Sequence, residues 1–219
     1  MIEKWIAAAA ELSTAVVLDA LDEFGLRRQA LLNVPPRTSV GTSGAVTVGR
    51  AKTMLWVDFA YDDPNTYALE LKAVDSIAAH DLVVCATANS NRAGIWGELL
   101  TTAAMHRGAA GILTDGAVRD LARMDAMGFP VFARHLSPYD SMNRQKVVAF
   151  DVAVEIDGTR VAPGDVVIAD RDAAAIVPQD VAAKVLDAAL AKVRAENRFR
   201  DAVKAGMSLT EAYAKFKVL

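Results

Sequence analysis

The feature that most constrains this chain is a short apolar run that passes directly into an amphipathic segment. Ala110-Gly111-Ile112-Leu113 leads through Thr114-Asp115-Gly116-Ala117-Val118-Arg119-Asp120 to a helically spaced stretch, Leu121 to Met127. A short apolar run bounded by turn formers predicts a buried strand. With Asp115-Gly116 as the expected turn pair, a strand here feeds a helix. Arg119 and Asp120 then fall at the strand's C-terminal end and the helix's first residues. Deep in a helix, neighbours diverge by about 100° around the axis, but at its mouth both can reach one small site. A guanidinium fork beside a hard carboxylate suits an oxyanion together with a divalent metal. A turn followed by a surface ion pair accounts for the same two residues.

A second stretch favours the first of these readings. Gly94-Ile95-Trp96-Gly97-Glu98-Leu99-Leu100 opens another helix, with Leu99, Leu100, Ala103 and Ala104 at helical spacing. Its first-turn amides have no partner within the helix and carry the positive end of the dipole, so this mouth can hold a carboxylate. Glu98 is either a surface residue favoured by the dipole or a second acidic group facing the metal.

Taken together, Gly97-Glu98-Leu99-Leu100, Ala103-Ala104, Arg107-Gly108, Gly111 and the Asp115–Asp120 segment resemble the RraA-like family. That family includes class II 4-hydroxy-4-methyl-2-oxoglutarate aldolases, which also decarboxylate oxaloacetate, and the regulator of ribonuclease E activity. Gly128 to Arg134, Val161 to Val166, Ser13-Thr14-Ala15 and Asp19-Ala20-Leu21 extend the resemblance over nearly the whole chain.

The resemblance implies an α/β fold: an αββα layered, swivelling β/α core spanning residues 1–219 as one domain. Helices are expected at about 2–25 and 178–217, with assembly as a homotrimer or homohexamer. It implies a carbon–carbon lyase that cleaves a 4-hydroxy-2-oxo dicarboxylic acid, such as 4-hydroxy-4-methyl-2-oxoglutarate, to pyruvate, and that also decarboxylates oxaloacetate. The implied cofactor is Mg²⁺ or Mn²⁺, with Asp120 as direct ligand and Glu98 and Glu196 acting through water. Arg119 would bind the substrate oxyanion, and Gly97, Glu98, Leu99 and Leu100 would border the substrate carboxylate. Glu196 stands ten residues before Gly206, where the aldolases carry a glutamate that reaches a neighbouring subunit's site. As a helix residue four positions from Arg200, it is also placed for an ordinary ion pair. The alternatives are a non-catalytic regulator that binds protein, and an enzyme of the same scaffold acting on another 2-oxo acid, such as a sugar acid.

Bulk properties agree with a small-molecule site. A net charge of −3 over 219 residues supplies no basic field for nucleic acid or an anionic membrane. No uncharged stretch reaches the length of a membrane span. The single cysteine, Cys85, reads as a buried strand residue, and a cytoplasmic setting is expected.

In order along the chain, residues 2–10 and 14–25 predict helices, the second started by Ser13 or Thr14 and stopped by Gly25. Asp19 is either a capping or solvated residue or a support for the site. Residues 33–42 predict a loop, 44–49 and 51–59 two strands, 66–78 a helix and 81–86 a strand. Asp62-Asp63 before Pro64 predicts a solvated turn rather than a metal site. The polar stretch Asn89 to Gly94, with Arg92, is expected to lead straight into the Gly97 helix. His80, His106 and His135 lack metal-ligand spacing. Strands are expected near 147–156, 159–162, 165–169 and 173–177, with Asp165, Asp170 and Asp172 as structural turn residues. Ala173 stands where the family commonly has glycine.

Overall fold

A computed structural model describes residues 2–218. The chain opens with α1 (Ile2–Ala7), a single 3-10 turn (Ala9–Glu11) and α2 (Thr14–Glu23), then β1 (Ala30–Leu31) and the short α3 (Ser39–Thr42). The central run is β2 (Thr47–Asp58), α4 (Ala68–Asp75), β3 (Asp81–Ala86), β4 (Gly94–Trp96), α5 (Glu98–His106), β5 (Gly111–Val118), α6 (Leu121–Ala126) and β6 (Val131–Leu136). Then come β7 (Gln145–Phe150), β8 (Val154–Ile156), β9 (Thr159–Val161), β10 (Val166–Ala169), β11 (Ala174–Val177), α7 (Ala182–Lys204) and α8 (Leu209–Phe216).

One mixed sheet carries the molecule, in the order β1-β11-β10-β2-β3-β5-β4, with β6 on β5 and β7 on β2. β3 and β5 lie parallel to their neighbours, as helical crossovers require, while β10, β11 and β7 return antiparallel. β1 and the segment after it tie distant edges together: Ala30 and Leu31 of β1 pair with β11, and Pro36 bridges to Phe132 on β6. Period-two alternation then divides the core. Leu82, Val84 and Ala86 of β3 enter an inner cluster with Leu113, Phe132, Val167 and Ile176. Val83 and Cys85 face outward to α4, α5 and α6, while Val166 and Ile168 face outward to α1, α2 and α7. Two walls of sheet thus enclose an apolar filling with helices outside both walls, which is the layered αββα arrangement. The filling is aliphatic apart from Phe132, and burying each such side chain is worth about 1.5–3 kcal/mol.

Local chemistry explains most boundaries. Ser13 accepts a hydrogen bond from the Val16 amide and starts α2, and Gly25 ends it at φ 78°. Ser208 and Glu211 form a reciprocal capping box on α8. Several expectations change: the expected loop at 33–42 contains α3, and the expected strand at 147–156 is two strands, β7 on the main sheet and β8 paired with β9. Residues 44–49 and 51–59 are not separate strands, because β2 runs unbroken from Thr47 and changes partner at Arg50, from β10 to β3. Gly49 permits that junction, since a Cβ there would lie 2.7 Å from the Leu82 Cβ. The polar loop from Asn89 does not enter the Gly97 helix directly either: β4 intervenes and pairs with Ala117 and Val118.

Candidate active site

β5 is buried along its whole length, and the expected Asp115-Gly116 turn is part of it. Asp115 points into the structure, 1% exposed, and accepts from the Thr87 amide (2.7 Å), the Thr87 hydroxyl (3.0 Å) and the Asn89 amide (2.9 Å). It thereby holds the β3–β4 connection, where Ala88 and Asn89 both have positive φ. Gly116 is required by close approach rather than by a turn, since a Cβ would sit 2.7 Å from Thr87. The chain actually turns at Arg119 and Asp120. Arg119 donates its amide to the Trp96 carbonyl at 2.8 Å, and Asp120 enters α6 in the left-handed region at φ 53°. That conformation costs a non-glycine residue roughly 1 kcal/mol, least for Asp and Asn.

Asp120 occupies the N-cap of α6 yet makes no capping hydrogen bond. Its carboxylate is turned toward the start of α5 instead, where Oδ2 accepts the Glu98 amide at 3.3 Å and lies 3.9 Å from Arg119 Nε. Gly97 makes this approach possible. A Cβ at that position would stand 2.6 Å from Asp120 Oδ2 and 3.0 Å from Arg119 Cγ. The hydrogen-bond ladder of α5 begins with the Thr101 amide on the Gly97 carbonyl, so the Leu99 and Leu100 amides have no acceptor within the helix. Leu99 does not join the helix's buried face as its spacing suggested; it is 80% exposed at the rim of the cavity.

That cavity holds about 320 Å³ between α4, α5 and the loop after β6. Sequence reasoning missed several of its residues, among them Tyr67, Glu70 and Asp140. Arg119 Nη2 reaches Asp140 Oδ2 at 2.7 Å, and the other Asp140 oxygen accepts the Tyr67 hydroxyl and, at 2.7 Å, the Met142 amide. Burial alone would raise the Asp140 carboxyl, but the Tyr67 and Met142 hydrogen bonds and the Arg119 charge bring it below the usual carboxylate range. Tyr67 moves the other way, to about 12, through burial and through its bond to that carboxylate. Glu70, 5% exposed, is pushed up to about 8 by burial first and by Asp140 second, with Arg119 opposing. Its Oε2 is buried without a hydrogen-bond partner. For Asp140 alone a general signal existed: active-site loops of open α/β sheets gather beyond the carboxyl ends of parallel strands, and Asp140 follows β6 there.

Among the described residues, no group of three or more acidic, His or Cys side chains gathers into a ready metal cage. Glu98 contributes its amide to the Asp120 contact, and its side chain is half-buried. Glu196 borders a separate depression on α7 with Phe199, Arg200 and Val218. Arg200 bonds Asn197 at 2.5 Å, not the expected Glu196. Asp19 pairs with Lys192 at 2.7 Å, away from the cavity. Asp165 and Asp170 are turn anchors: Asp165 accepts the Ala162 and Gln179 amides, and Asp170 accepts the amide and hydroxyl of Thr14. Asp63 pairs with Lys146 at 2.8 Å and accepts the Asn65 amide, so the Asp62-Asp63 turn is structural as well.

Residues 14–176 match the family model RraA-like, described as Aldolase/RraA. This chain belongs to the RraA-like family. It is 25% identical over 205 residues to the protein DlpA of Legionella pneumophila, covering 91% of this chain but only 32% of DlpA, so it spans about a third of that relative's length. It is 26% identical over 143 residues to a Halalkalibacterium halodurans protein named "Putative 4-hydroxy-4-methyl-2-oxoglutarate aldolase", covering 65% of this chain and 68% of that one. Streptomyces coelicolor RraAS2, described as an unusual member of the RNase ES inhibitor RraA protein family, superposes with a TM-score of 0.77 at 27% identity. That match covers 90% of this chain and 96% of the other. The layered RraA-like fold is therefore shared, while the relatives' names divide between lyase and regulator. No helix among the described residues is long and apolar enough to cross a membrane.

Proposed function

We propose that this RraA-like protein is a divalent-metal-assisted carbon–carbon lyase acting on 2-oxo acids. It cleaves 4-hydroxy-2-oxo acids, with 4-hydroxy-4-methyl-2-oxoglutarate as the reference dicarboxylic substrate, and decarboxylates oxaloacetate through the same pyruvate enolate. The observation that carries the reading is the Asp120 carboxylate. It is left uncapped, held in a strained conformation and turned onto a helix mouth kept open by Gly97. Strain of this kind gathers at functional sites.

The donor set fits a hard cation. Oδ2 of Asp120 accepts one amide hydrogen bond, and among the described residues none engages its other oxygen. One carboxylate with open surroundings suits Mg²⁺ or Mn²⁺, which keep several waters and take further oxygens from substrate. Glu98, and Glu196 from a neighbouring subunit of a homotrimer or homohexamer, are the residues to hold such waters. Bound there, the ion would supply an electron sink for charge developing on the substrate's C2 oxygen.

The chain's own groups do the remaining work. The Leu99 and Leu100 amides, at the positive end of α5, bind the 2-oxo acid's carboxylate. Arg119 presents its fork to the C2 oxygen and favours the enolate over the ketone, because negative charge grows there. In the cleavage, the C4 hydroxyl gives up its proton to water ordered by the acidic groups, and C4 becomes a carbonyl. The C3–C4 electron pair passes into the C2–C3 enolate, which takes a proton at C3 to become pyruvate. In the decarboxylation, the same pair comes from the bond to the departing CO₂.

Pyruvate release from 4-hydroxy-4-methyl-2-oxoglutarate and oxaloacetate tests the reading. Activity should vanish in chelator and return with Mg²⁺ or Mn²⁺, and borohydride with substrate should label no lysine. Undiminished turnover in chelator would remove the metal from the mechanism. Absence of turnover with either metal would leave the regulator reading instead.

A further inference from the structure

The two sides of Arg119 mark two ends of the cavity. Nε faces Asp120 at 3.9 Å, whereas Nη2 is bound to Asp140 at 2.7 Å. The Asp120 end, beside the α5 amides, takes the reacting 2-oxo acid in the lyase reading, so the Asp140 end meets whatever substrate atoms extend beyond C4. Tyr67, Glu70 and Ser141 complete that second end. Arg119 is the one cation among the described residues that line the cavity, and Asp140 already engages it, whereas Glu70, Asp120 and Asp140 all contribute carboxyl groups. A second substrate carboxylate would be desolvated there without a free cation, since Asp140 already engages Arg119. A hydroxyl would find the opposite. Glu70 is 5% exposed, lines the cavity, and has an oxygen with no partner. A buried polar atom of that kind favours a ligand that completes its hydrogen bond.

We propose that the Asp140 end is a specificity pocket for an uncharged, hydroxylated tail and that Glu70 reads a substrate hydroxyl in it. The preferred substrate is then a 4-hydroxy-2-oxo acid of the 3-deoxy sugar-acid class, cleaved to pyruvate and a hydroxyaldehyde, rather than a dicarboxylic acid. This inference rests on the lyase reading and narrows it. Burial keeps Glu70 a neutral acid near pH 7, since its carboxyl is raised to about 8, so it can donate as well as accept. The cavity, at about 320 Å³, is at the small end of the range for small-molecule sites.

The test compares kcat/KM, with Mg²⁺ at pH 7, for three compounds. One is 4-hydroxy-2-oxobutanoate, which has no tail. The second is a 3-deoxy-2-oxohexonate with a hydroxylated tail, and the third is 4-hydroxy-2-oxoglutarate with a charged one. The hydroxylated compound should exceed the dicarboxylic acid by about tenfold or more, and the same order should appear in the rise of Tm that each compound produces. Glu70→Leu should lower the ratio of hydroxylated to tail-less substrate by about tenfold, while Glu70→Gln, which keeps a donor and an acceptor, retains most of that ratio. Equal or better use of the dicarboxylic acid overturns the inference and leaves the lyase reading standing. So does an equal loss on all three compounds in Glu70→Leu, which would mark Glu70 as structural. If none of the three releases pyruvate with Mg²⁺ or Mn²⁺, the lyase reading falls and the inference falls with it.

Discussion

Asp115 and Asp120 lie five residues apart on one strand and its exit, and they are put to opposite uses. Asp115 is sealed in the sheet with three hydrogen bonds from Thr87 and Asn89, so its charge is consumed in holding a loop. Asp120 sits at a helix cap without capping, in the left-handed region, with one long amide contact. A carboxylate whose acceptors are filled is committed to the fold, and one left underfilled has the open oxygen that the proposed lyase needs. The same contrast separates Asp140, which is filled by Tyr67, Met142 and Arg119, from Glu70, which is not.

The contrast breaks most directly on paired substitutions. Asp120→Asn keeps the shape and the tolerance for positive φ but removes the charge, so metal-dependent pyruvate formation should fall by about a thousandfold or more with Tm nearly unchanged. Asp115→Ala should do the reverse. Leaving the Thr87 and Asn89 donors buried and unanswered should cost about 3–5 kcal/mol in denaturant unfolding, as when a buried polar network is broken. Activity in the folded fraction should survive unless the β3–β4 loop shifts. If Asp120→Asn lowers stability more than turnover, or Asp115→Ala leaves stability intact, the two roles have been assigned the wrong way round.

Glu70 sharpens the comparison through pH. Its folded-state carboxyl is raised to about 8 from an ordinary 4.5, so between those values the unfolded chain has released a proton that the folded chain keeps. Stability therefore falls as pH rises through that window and levels off above about 8, a contribution on the order of 2–4 kcal/mol. Asp140, Tyr67 and Arg119 are the charged or titratable neighbours that modulate it. Glu70→Gln should flatten the slope of unfolding free energy between pH 5 and 8, whereas an unchanged slope would assign the pH dependence to other groups.

How much of this was legible depended on the range over which each signal acts. Ser13 and Gly25 at the ends of α2 are local chemistry, visible in four or five residues. The strand-to-helix exit at Arg119 and Asp120, and the helix mouth at Gly97, were visible for the same reason, and the family resemblance joined them. The Asp115-Gly116 pair misled because turn chemistry and tight packing both select glycine, and only the position of Thr87 distinguishes them. Tyr67 and Glu70 were not legible, and Asp140 only in its general place after a parallel strand. They come from α4 and from a loop some seventy residues later, and what unites them is a fold-level contact between Tyr67 and Asp140. Nothing in the spacing of Tyr67 and Glu70 separates a cavity wall from an ordinary amphipathic helix face.

The smallest effect within one chain, and the one that extends the comparison between chains, belongs to Glu196. It borders its own depression on α7, half-buried, with Arg200 turned to Asn197. As a solvated helix residue it should contribute no more than a few tenths of a kcal/mol, so Glu196→Ala should leave unfolding nearly unchanged in either reading. Its effect on turnover separates them. If Glu196 completes a neighbour's site, Glu196→Ala lowers metal-dependent activity, and mixing it with Asp120→Asn under subunit exchange restores part of the loss. In such a mixture, some interfaces pair an intact Asp120 with an intact Glu196 from the adjoining subunit. Sedimentation of the active species supplies the second arm, since a fully active monomer has no neighbour to contribute the residue. Normal turnover in Glu196→Ala, or a mixture no more active than its components, would confine the site to the residues around Asp120 on one chain.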